Sequence, residues 1–255
     1  MVKFLGITRS PAGLKNSKLP PDTLFLVSEF ALEGDGRELV RRCLNGTPQD
    51  WDMILRFAGD IASGLNDIHS RGVLHRDLHW GNILGTTKRF DRQLLPMIRD
   101  GQVRDDAETS VELLIADLGE GKIVGKASTL GRQYGNTEFR APEVQKFGPL
   151  AYTTASDMYA MGRLAEDIVT EYWEASKRVG DHRRLISWTL RDLVMRLKSE
   201  DPDLRPSANE VRDALQDIWR KGTSGAWDFD PRKIDLVSYE EPKAEATDPV
   251  EDGIP

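Results

Sequence analysis

The feature that most constrains this chain is the run His75-Arg76-Asp77-Leu78-His79-Trp80-Gly81-Asn82, followed thirty-five residues after its asparagine by Asp117-Leu118-Gly119. Asn82 lies five positions after Asp77. A tight loop of that length brings both side chains to one side of a site while Leu78 points inward as an anchor. An acid, a carboxamide and a second acid in this order match the needs of in-line phosphoryl transfer. That reaction requires a carboxylate to accept or orient a hydroxyl proton, and oxygen ligands to hold Mg²⁺ on nucleotide phosphates. Asp77 suits the first role, and Asn82 and Asp117 suit the second.

The residues around this run read as mainly helical. The opening reads as two short strands, Val2–Ile7 and Leu24–Phe30, joined by a connection rich in Pro, Gly, Ser, Asn and Lys. From Asp52 to His69 the apolar residues Ile54, Phe57, Ala58, Ile61, Leu65 and Ile68 recur at helical spacing with one buried stripe. A second helix is expected from about Ala155 to Thr170 through Met158, Met161, Leu164 and Ile168, and a third over Leu185–Leu197. A fourth begins at the box Ser207-x-x-Glu210, runs through Val211, Ala214, Leu215 and Ile218, and closes at Trp219. Residues 85–112 show no sustained pattern and read as a surface loop; residues 221–255 read as a disordered acidic tail. Met158, Met161, Trp188 and Trp219 fall on helical stripes and are read as core.

His75-Arg-Asp-Leu-His-Trp-Gly-Asn82 and Asp117-Leu-Gly119 resemble the catalytic loop and the metal-binding motif of protein kinases, with Leu118 in place of the usual Phe. Ala141-Pro142-Glu143 resembles the end of a kinase activation segment, here 117–143, and Arg205 in Asp201-Pro-Asp-Leu-Arg-Pro206 matches the family's buried partner of that glutamate. Asp157 matches the aspartate that braces the catalytic loop backbone, with His75 and Arg76 as further braces. Val27-Ser28-Glu29-Phe30-Ala31 resembles the hinge between lobes. The resemblance implies that the Glu29 carbonyl and Ala31 amide bond adenine, with Ser28 as a small gatekeeper. It also implies that Asp35 bonds the ribose, that Leu84 floors the adenine, and that Phe4, His75 and Leu118 belong to an apolar spine.

Together these motifs span residues 1–220 and imply an α+β, protein-kinase-like fold. It would be mainly the helical C-lobe (36–220), with a small strand remnant of the N-lobe at the hinge (1–35). The implied activity is transfer of the ATP γ-phosphoryl group to a protein hydroxyl with Mg²⁺. Asp77 would be the base and Asn82 and Asp117 the metal ligands. Ser128, Thr129 and Tyr134 are candidate phosphorylation sites within the activation segment, with Arg76 placed to pair with a phosphate.

Three departures bear on function. No Gly-rich phosphate loop, no Val-Ala-x-Lys lysine and no helix glutamate paired to it occur before Val2, so weak or absent activity is one expectation for this chain. His79 stands where serine/threonine kinases usually have lysine, and Asn136 where they usually have threonine, which leaves the acceptor hydroxyl, Ser/Thr or Tyr, open. Two alternatives follow: a kinase-derived docking or scaffold protein, and a small-molecule kinase of the aminoglycoside type, whose loop shares His79, Gly81 and Asn82. Ala141-Pro-Glu143 with Arg205 speaks against the latter.

Composition enters mainly to exclude. The net charge of −7 collapses once residues 222–255 are set aside, because they hold nine acids against three bases. The rest lacks the basic footprint of a nucleic-acid binder. Apolar runs are too short to cross a bilayer and the first residues lack a secretory apolar stretch, so an intracellular, cytoplasmic protein is the default expectation, with a protein substrate or docking partner. The single cysteine, Cys43, reads as structural. His69 and His182 lack metal-ligand spacing, and Gly119–Ser128 lacks a glycine and a hydroxyl that a Walker loop requires.

Overall fold

Helix α2 (Asp50–His69) is the element on which the others are laid. Its entry is set by Asp50, whose buried carboxylate Oδ2 accepts the backbone N–H groups of Asn45 (2.7 Å), Gly46 (2.6 Å) and Thr47 (3.1 Å). Three backbone donors of the connecting loop are thereby satisfied and the chain is turned into the helix. The stripe Ile54, Phe57, Ile61 and Leu65 is essentially solvent-free, and against it pack helices α4 (Thr154–Arg178) and α6 (Ala208–Thr223) and strand β6 (Thr109–Ile115). The computed structural model describes residues 1–9, 24–47, 50–89, 109–125, 136–180 and 187–223.

The remaining elements follow in chain order. Strands β1 (Phe4–Arg9) and β2 (Leu24–Ser28) form an antiparallel hairpin. β3 (Gly34–Asp35) leads directly into helix α1 (Gly36–Cys43). After α2 come β4 (Val73–Leu74), a single 3₁₀ turn (Trp80–Asn82) and β5 (Ile83–Arg89). β5 is the middle strand of the sheet β3-β5-β6, with Ile83 opposite Ile115. β7 (Lys122–Ile123) pairs with β4. Helices α3 (Pro142–Phe147) and α5 (Trp188–Leu197) complete the α+β fold.

The expected elements are present, with shifted limits that have local causes. The first two strands sit at 4–9 and 24–28 rather than 2–7 and 24–30; the second ends as the chain turns outward at Phe30, which is 81% exposed. α4 runs eight residues beyond the expected Thr170. The apolar period continues through Tyr172 and Ala175, Tyr172 meets Trp51 of α2 at 5.6 Å between ring centroids, and no glycine intervenes before Gly180. α6 starts at its expected box, where Ser207 N–H donates to Glu210 (2.8 Å) and Glu210 N–H to Ser207 Oγ (3.3 Å), and it continues past Trp219 to Thr223.

Two readings are corrected. The expected loop at 85–112 is narrower at both flanks, since β5 extends to Arg89 and β6 begins at Thr109 in continuous register; a strand partner more than twenty residues away leaves no local signature. Trp188 is not core. It is the first residue of α5, 56% exposed, with the Arg191 guanidinium 5.4 Å over its ring, because Ser187 caps the helix there and turns the first residue outward. Residues 221–223 of the expected tail are instead the end of α6, and the rest of that tail, with His182, Ser128, Thr129 and Tyr134, lies outside the described residues. Among the described residues no helix is long and apolar enough to cross a membrane.

Gly46 tests how closely the elements are laid together. Its φ is +77°, and a Cβ there would lie 2.3 Å from the Ser176 backbone nitrogen of α4. Gly180 has a similar φ of +80° with open space around it. Gly46→Ala should therefore cost about 2 kcal/mol or more and lower the melting temperature by about 5 °C or more. Gly180→Ala incurs only the left-handed backbone penalty of roughly 1 kcal/mol. Equal melting temperatures for the two variants would show that α4 yields freely at Ser176.

Candidate functional site

The loop that carries Asp77 is built from its backbone outward. Asp157, 2% exposed on the first turns of α4, accepts the His75 N–H (2.8 Å) and the His69 ring Nε2–H (2.9 Å) at Oδ2, and the Arg76 N–H (2.9 Å) at Oδ1. Arg76 sits at φ +68°, a conformation that non-glycine residues rarely hold without such over-determination. Its Nε donates to the Glu120 carbonyl (2.6 Å), which reaches across to the segment after Asp117.

The His75 ring is wholly buried and joins the two halves of the site. Its Nδ1 accepts the Asp77 N–H (3.3 Å), so the ring proton is on Nε2, which donates to the Ala116 carbonyl (3.0 Å). The Ala116 N–H in turn donates to the Asn82 carbonyl (2.9 Å). Asn82 and Asp117 are thus fixed one residue apart across a backbone hydrogen bond. Pairing of β4 with β7 closes the same seam from the other side. Asp117, like Arg76, has a positive φ (+58°), and its Oδ1 accepts the Gly119 N–H (2.8 Å).

Within the loop, the Asn82 amide Nδ2 donates to the Asp77 carbonyl (2.7 Å) and lies 3.3 Å from Asp77 Oδ2. That orientation leaves the amide oxygen as the group's acceptor. One carboxamide oxygen and one carboxylate, to be completed by phosphate oxygens and water, is a donor set that suits Mg²⁺, which takes few protein ligands. Among the described residues no group of three or more His, Cys, Asp or Glu is placed to hold a metal. His79 packs against the turn, with Nδ1 accepting the Gly81 N–H (3.0 Å) and Nε2 3.3 Å from Asp77 Oδ1.

Asn136, which lines a cleft with Asp77, Phe139 and Tyr152, directs its oxygen to the Glu138 N–H (3.0 Å). Of the two residues that depart from the serine/threonine pattern, His79 reaches Asp77, and Asn136 closes its own turn.

Glu143 and Arg205 meet in a two-pronged pair, Nη1 to Oε1 and Nη2 to Oε2, both 2.8 Å. Arg205 also donates to the Ser199 (2.8 Å) and Ala155 (3.0 Å) carbonyls and lies 5.1 Å over the Tyr159 ring, and Ser156 Oγ donates to Glu143 (3.1 Å). Burial opposes ionisation of Glu143, but the hydrogen bonds and charge of Arg205 outweigh it and hold the carboxyl below its ordinary value.

On the nucleotide side, Asp35 and Leu84 are directly opposite in the β3–β5 pairing. Asp35 Oδ1 caps α1 by accepting the Glu38 N–H (2.9 Å). Glu29 is tied to the first strand, its N–H donating to the Lys3 carbonyl (2.8 Å) and its carboxylate accepting from Lys3 N (2.7 Å). Ala31 is buried, and its carbonyl accepts the Gly34 N–H (3.2 Å). Leu118 is 38% exposed, so this member of the expected spine is not enclosed by the described residues. His69 had no role in the sequence reading; its only signal was its position at the end of the apolar stripe of α2.

The sequence matches the protein kinase domain family over residues 2–219, and the chain belongs to that family. Among similar proteins, a probable serine/threonine-protein kinase of Dictyostelium discoideum is 30% identical over 233 residues, covering 86% of this chain and 33% of that protein. A eukaryotic translation initiation factor 2-alpha kinase of Caenorhabditis elegans is 22% identical over 198 residues, 74% of this chain and 18% of its own length. A calcium/calmodulin-dependent protein kinase of Emericella nidulans is 24% identical over 210 residues, 80% and 47%. The chain spans less than half the length of each of these relatives.

The Glu143 pair sets the direction of a pH dependence. A carboxyl whose folded pKa is depressed stabilises the fold above its ordinary value of 4.5, and that contribution is lost as pH falls through the lower folded value. The stability of the wild-type chain should therefore fall below about pH 4.5 more steeply than that of Glu143→Gln, measured by urea unfolding between pH 6 and pH 3. Parallel curves would show that the pair contributes nothing through its charge.

Proposed function

We propose that the chain carries the catalytic half of a protein kinase site and transfers the γ-phosphoryl group of ATP to a serine or threonine hydroxyl of a protein. The observation that carries this reading is the double use of Asn82. Its amide braces Asp77, and its carbonyl accepts the Ala116 N–H next to Asp117. A carboxylate base and two cation-binding oxygens are thereby gathered by one residue. Asp77 orients the acceptor hydroxyl and takes its proton, while Asn82 Oδ1 and Asp117 hold Mg²⁺. Bound Mg²⁺ supplies neutralisation of the phosphate charge. Asp35 and Leu84 lie on one pair of strands, where they would meet ribose and adenine, with the Glu29 carbonyl and Ala31 amide at the base edge. The name of the Dictyostelium relative, a probable serine/threonine-protein kinase, favours serine or threonine over tyrosine.

A docking role is the second reading, and the hairpin favours it. Leu5, Ile7 and Leu24 on β1 and β2, and Phe30 and Leu32 beyond them, are each more than half exposed, an apolar surface of the kind that meets another protein.

The chain should transfer radiolabelled phosphate from Mg²⁺-ATP to a generic serine/threonine substrate protein. Asp77→Asn should lower that rate by about a hundredfold or more without changing the melting temperature, and Asp117→Asn should remove the Mg²⁺ dependence of ATP binding. Equal rates for wild type and Asp77→Asn would transfer the argument to the docking reading.

A further inference from the structure

We propose that His79 is a positioning residue for Asp77, a fixed neutral donor that holds the base carboxylate in place, and that this is its role beyond capping the turn at Trp80–Asn82. The inference rests on the kinase reading above for its catalytic consequence, and on the geometry of the ring for the contact itself.

The tautomer is decided by a neighbour that has no choice. A backbone N–H can only donate, so the Gly81 N–H, 3.0 Å from His79 Nδ1, requires Nδ1 to be the unprotonated nitrogen. The ring proton therefore sits on Nε2. That nitrogen faces two groups, Asp77 Oδ1 at 3.3 Å and Asn82 Nδ2 at 3.4 Å. An N–H cannot accept from an amide NH₂, and Asn82 Nδ2 already donates to the Asp77 carbonyl at 2.7 Å. The group that the His79 Nε2–H can serve is the Asp77 carboxylate. Its separation of 3.3 Å is of the kind that shortens when a site fills.

The ring is also held against drifting. A Cβ at position 81 would lie 2.7 Å from His79 Cε1, so the ring in this position sits close against Gly81 and any larger residue there would have to displace it. The Phe139 ring stands 6.4 Å away between centroids. Both His79 and Asp77 are about three-quarters shielded, which strengthens their interaction relative to one in open water. The two Asp77 oxygens then face different neighbours, Oδ1 with His79 Nε2 at 3.3 Å and Oδ2 accepting from the Asn82 amide at 3.3 Å. Where serine/threonine kinases usually place a lysine, this site places an imidazole whose Nε2 lies beside the Asp77 carboxylate.

Two substitutions separate positioning from capping. Asparagine keeps a short oxygen that can accept the Gly81 N–H but cannot extend to Asp77, whereas glutamine carries an amide donor about as far out as Nε2. His79→Asn should lower kcat about tenfold with the KM for ATP changed less than about threefold and the melting temperature retained, and His79→Gln should recover most of the lost rate. An asparagine variant with wild-type kcat would reduce His79 to a cap, and a dominant rise in KM would make it a nucleotide contact instead. Either result overturns the proposal.

A readout independent of catalysis accompanies these rates. The chain has four histidines, and the ring nitrogens of His79 are assigned in long-range ¹H–¹⁵N spectra by their loss in His79→Asn. An Nε2-protonated ring whose Nε2 signal moves in Asp77→Asn supports the contact; an Nδ1-protonated ring, or one indifferent to Asp77→Asn, refutes it. If wild type and Asp77→Asn transfer phosphate equally poorly, the kinase reading fails while the ring spectrum still decides the contact.

Discussion

The Asp157 carboxylate is the constraint from which the site is hung. It is buried, and an isolated buried carboxylate is costly, so it is tolerable only with its lone pairs satisfied. Three donors do so, and two of them are consecutive backbone N–H groups, at His75 and Arg76. A carboxylate that accepts from two successive amides fixes the path of the chain through them. The left-handed Arg76 is the product: the peptide turns there, Asp77 leaves the β4 direction and lines the cleft. The same carboxylate takes the His69 ring from the end of α2, so the two central helices meet at the point that shapes the loop.

The adjacent residue on α4 extends this logic to the other end of the site. Ser156 donates to Glu143, which is clamped by Arg205, and Arg205 returns to the Ala155 carbonyl. Residues 155–157 therefore hold the catalytic loop and the segment after it against a single turn of one helix. A rigid helix turn is a better reference than a loop for groups that must agree in position to within about an ångström. The other end of α4 contributes in kind. Glu171 accepts Arg37 (2.9 Å) and Arg41 (3.0 Å) of α1, which binds the helix capped by Asp35 to the same rod.

How much of this was legible from sequence depends on whether a feature is carried by residue type at fixed spacing. The order His75 to Asn82, Asp117, Glu143, Asp157 and Arg205 could be read because each position admits few side chains, and the structure brings all of them into one neighbourhood. The helices could be read from their period. The role of His69 could not, since a histidine ending an amphipathic helix looks the same whether it faces solvent or a buried carboxylate. The extension of β5 through Gly85-Thr-Thr-Lys-Arg89 was hidden because those residues show no sustained apolar alternation, and their pairing with residues from Thr109 onward is fixed across the sheet rather than by local preference. The His79 tautomer was equally invisible, because it depends on where one amide hydrogen points.

The nucleotide side divides by the same criterion of what holds each group. Asp35 and Leu84 belong to the β3-β5-β6 sheet, whose β6 is anchored on α2 by the Leu113 N–H donating to Asp60 (2.9 Å). Their spacing is inherited from the helical core. Glu29 and Ala31 lie beyond a two-stranded hairpin, and two strands alone are marginal in water. The described ties of that hairpin are few: Val2 N–H to the Ile115 carbonyl (2.8 Å) and the exchange between Lys3 and Glu29. Asp35 and Leu84 are therefore tied to the same core as Asp77, while Glu29 is held chiefly through its contacts with Lys3 of the hairpin. A strand or a partner laid on the exposed Leu5, Ile7 and Leu24 would add the burial that two strands lack and so stiffen the hairpin to which Glu29 is tied.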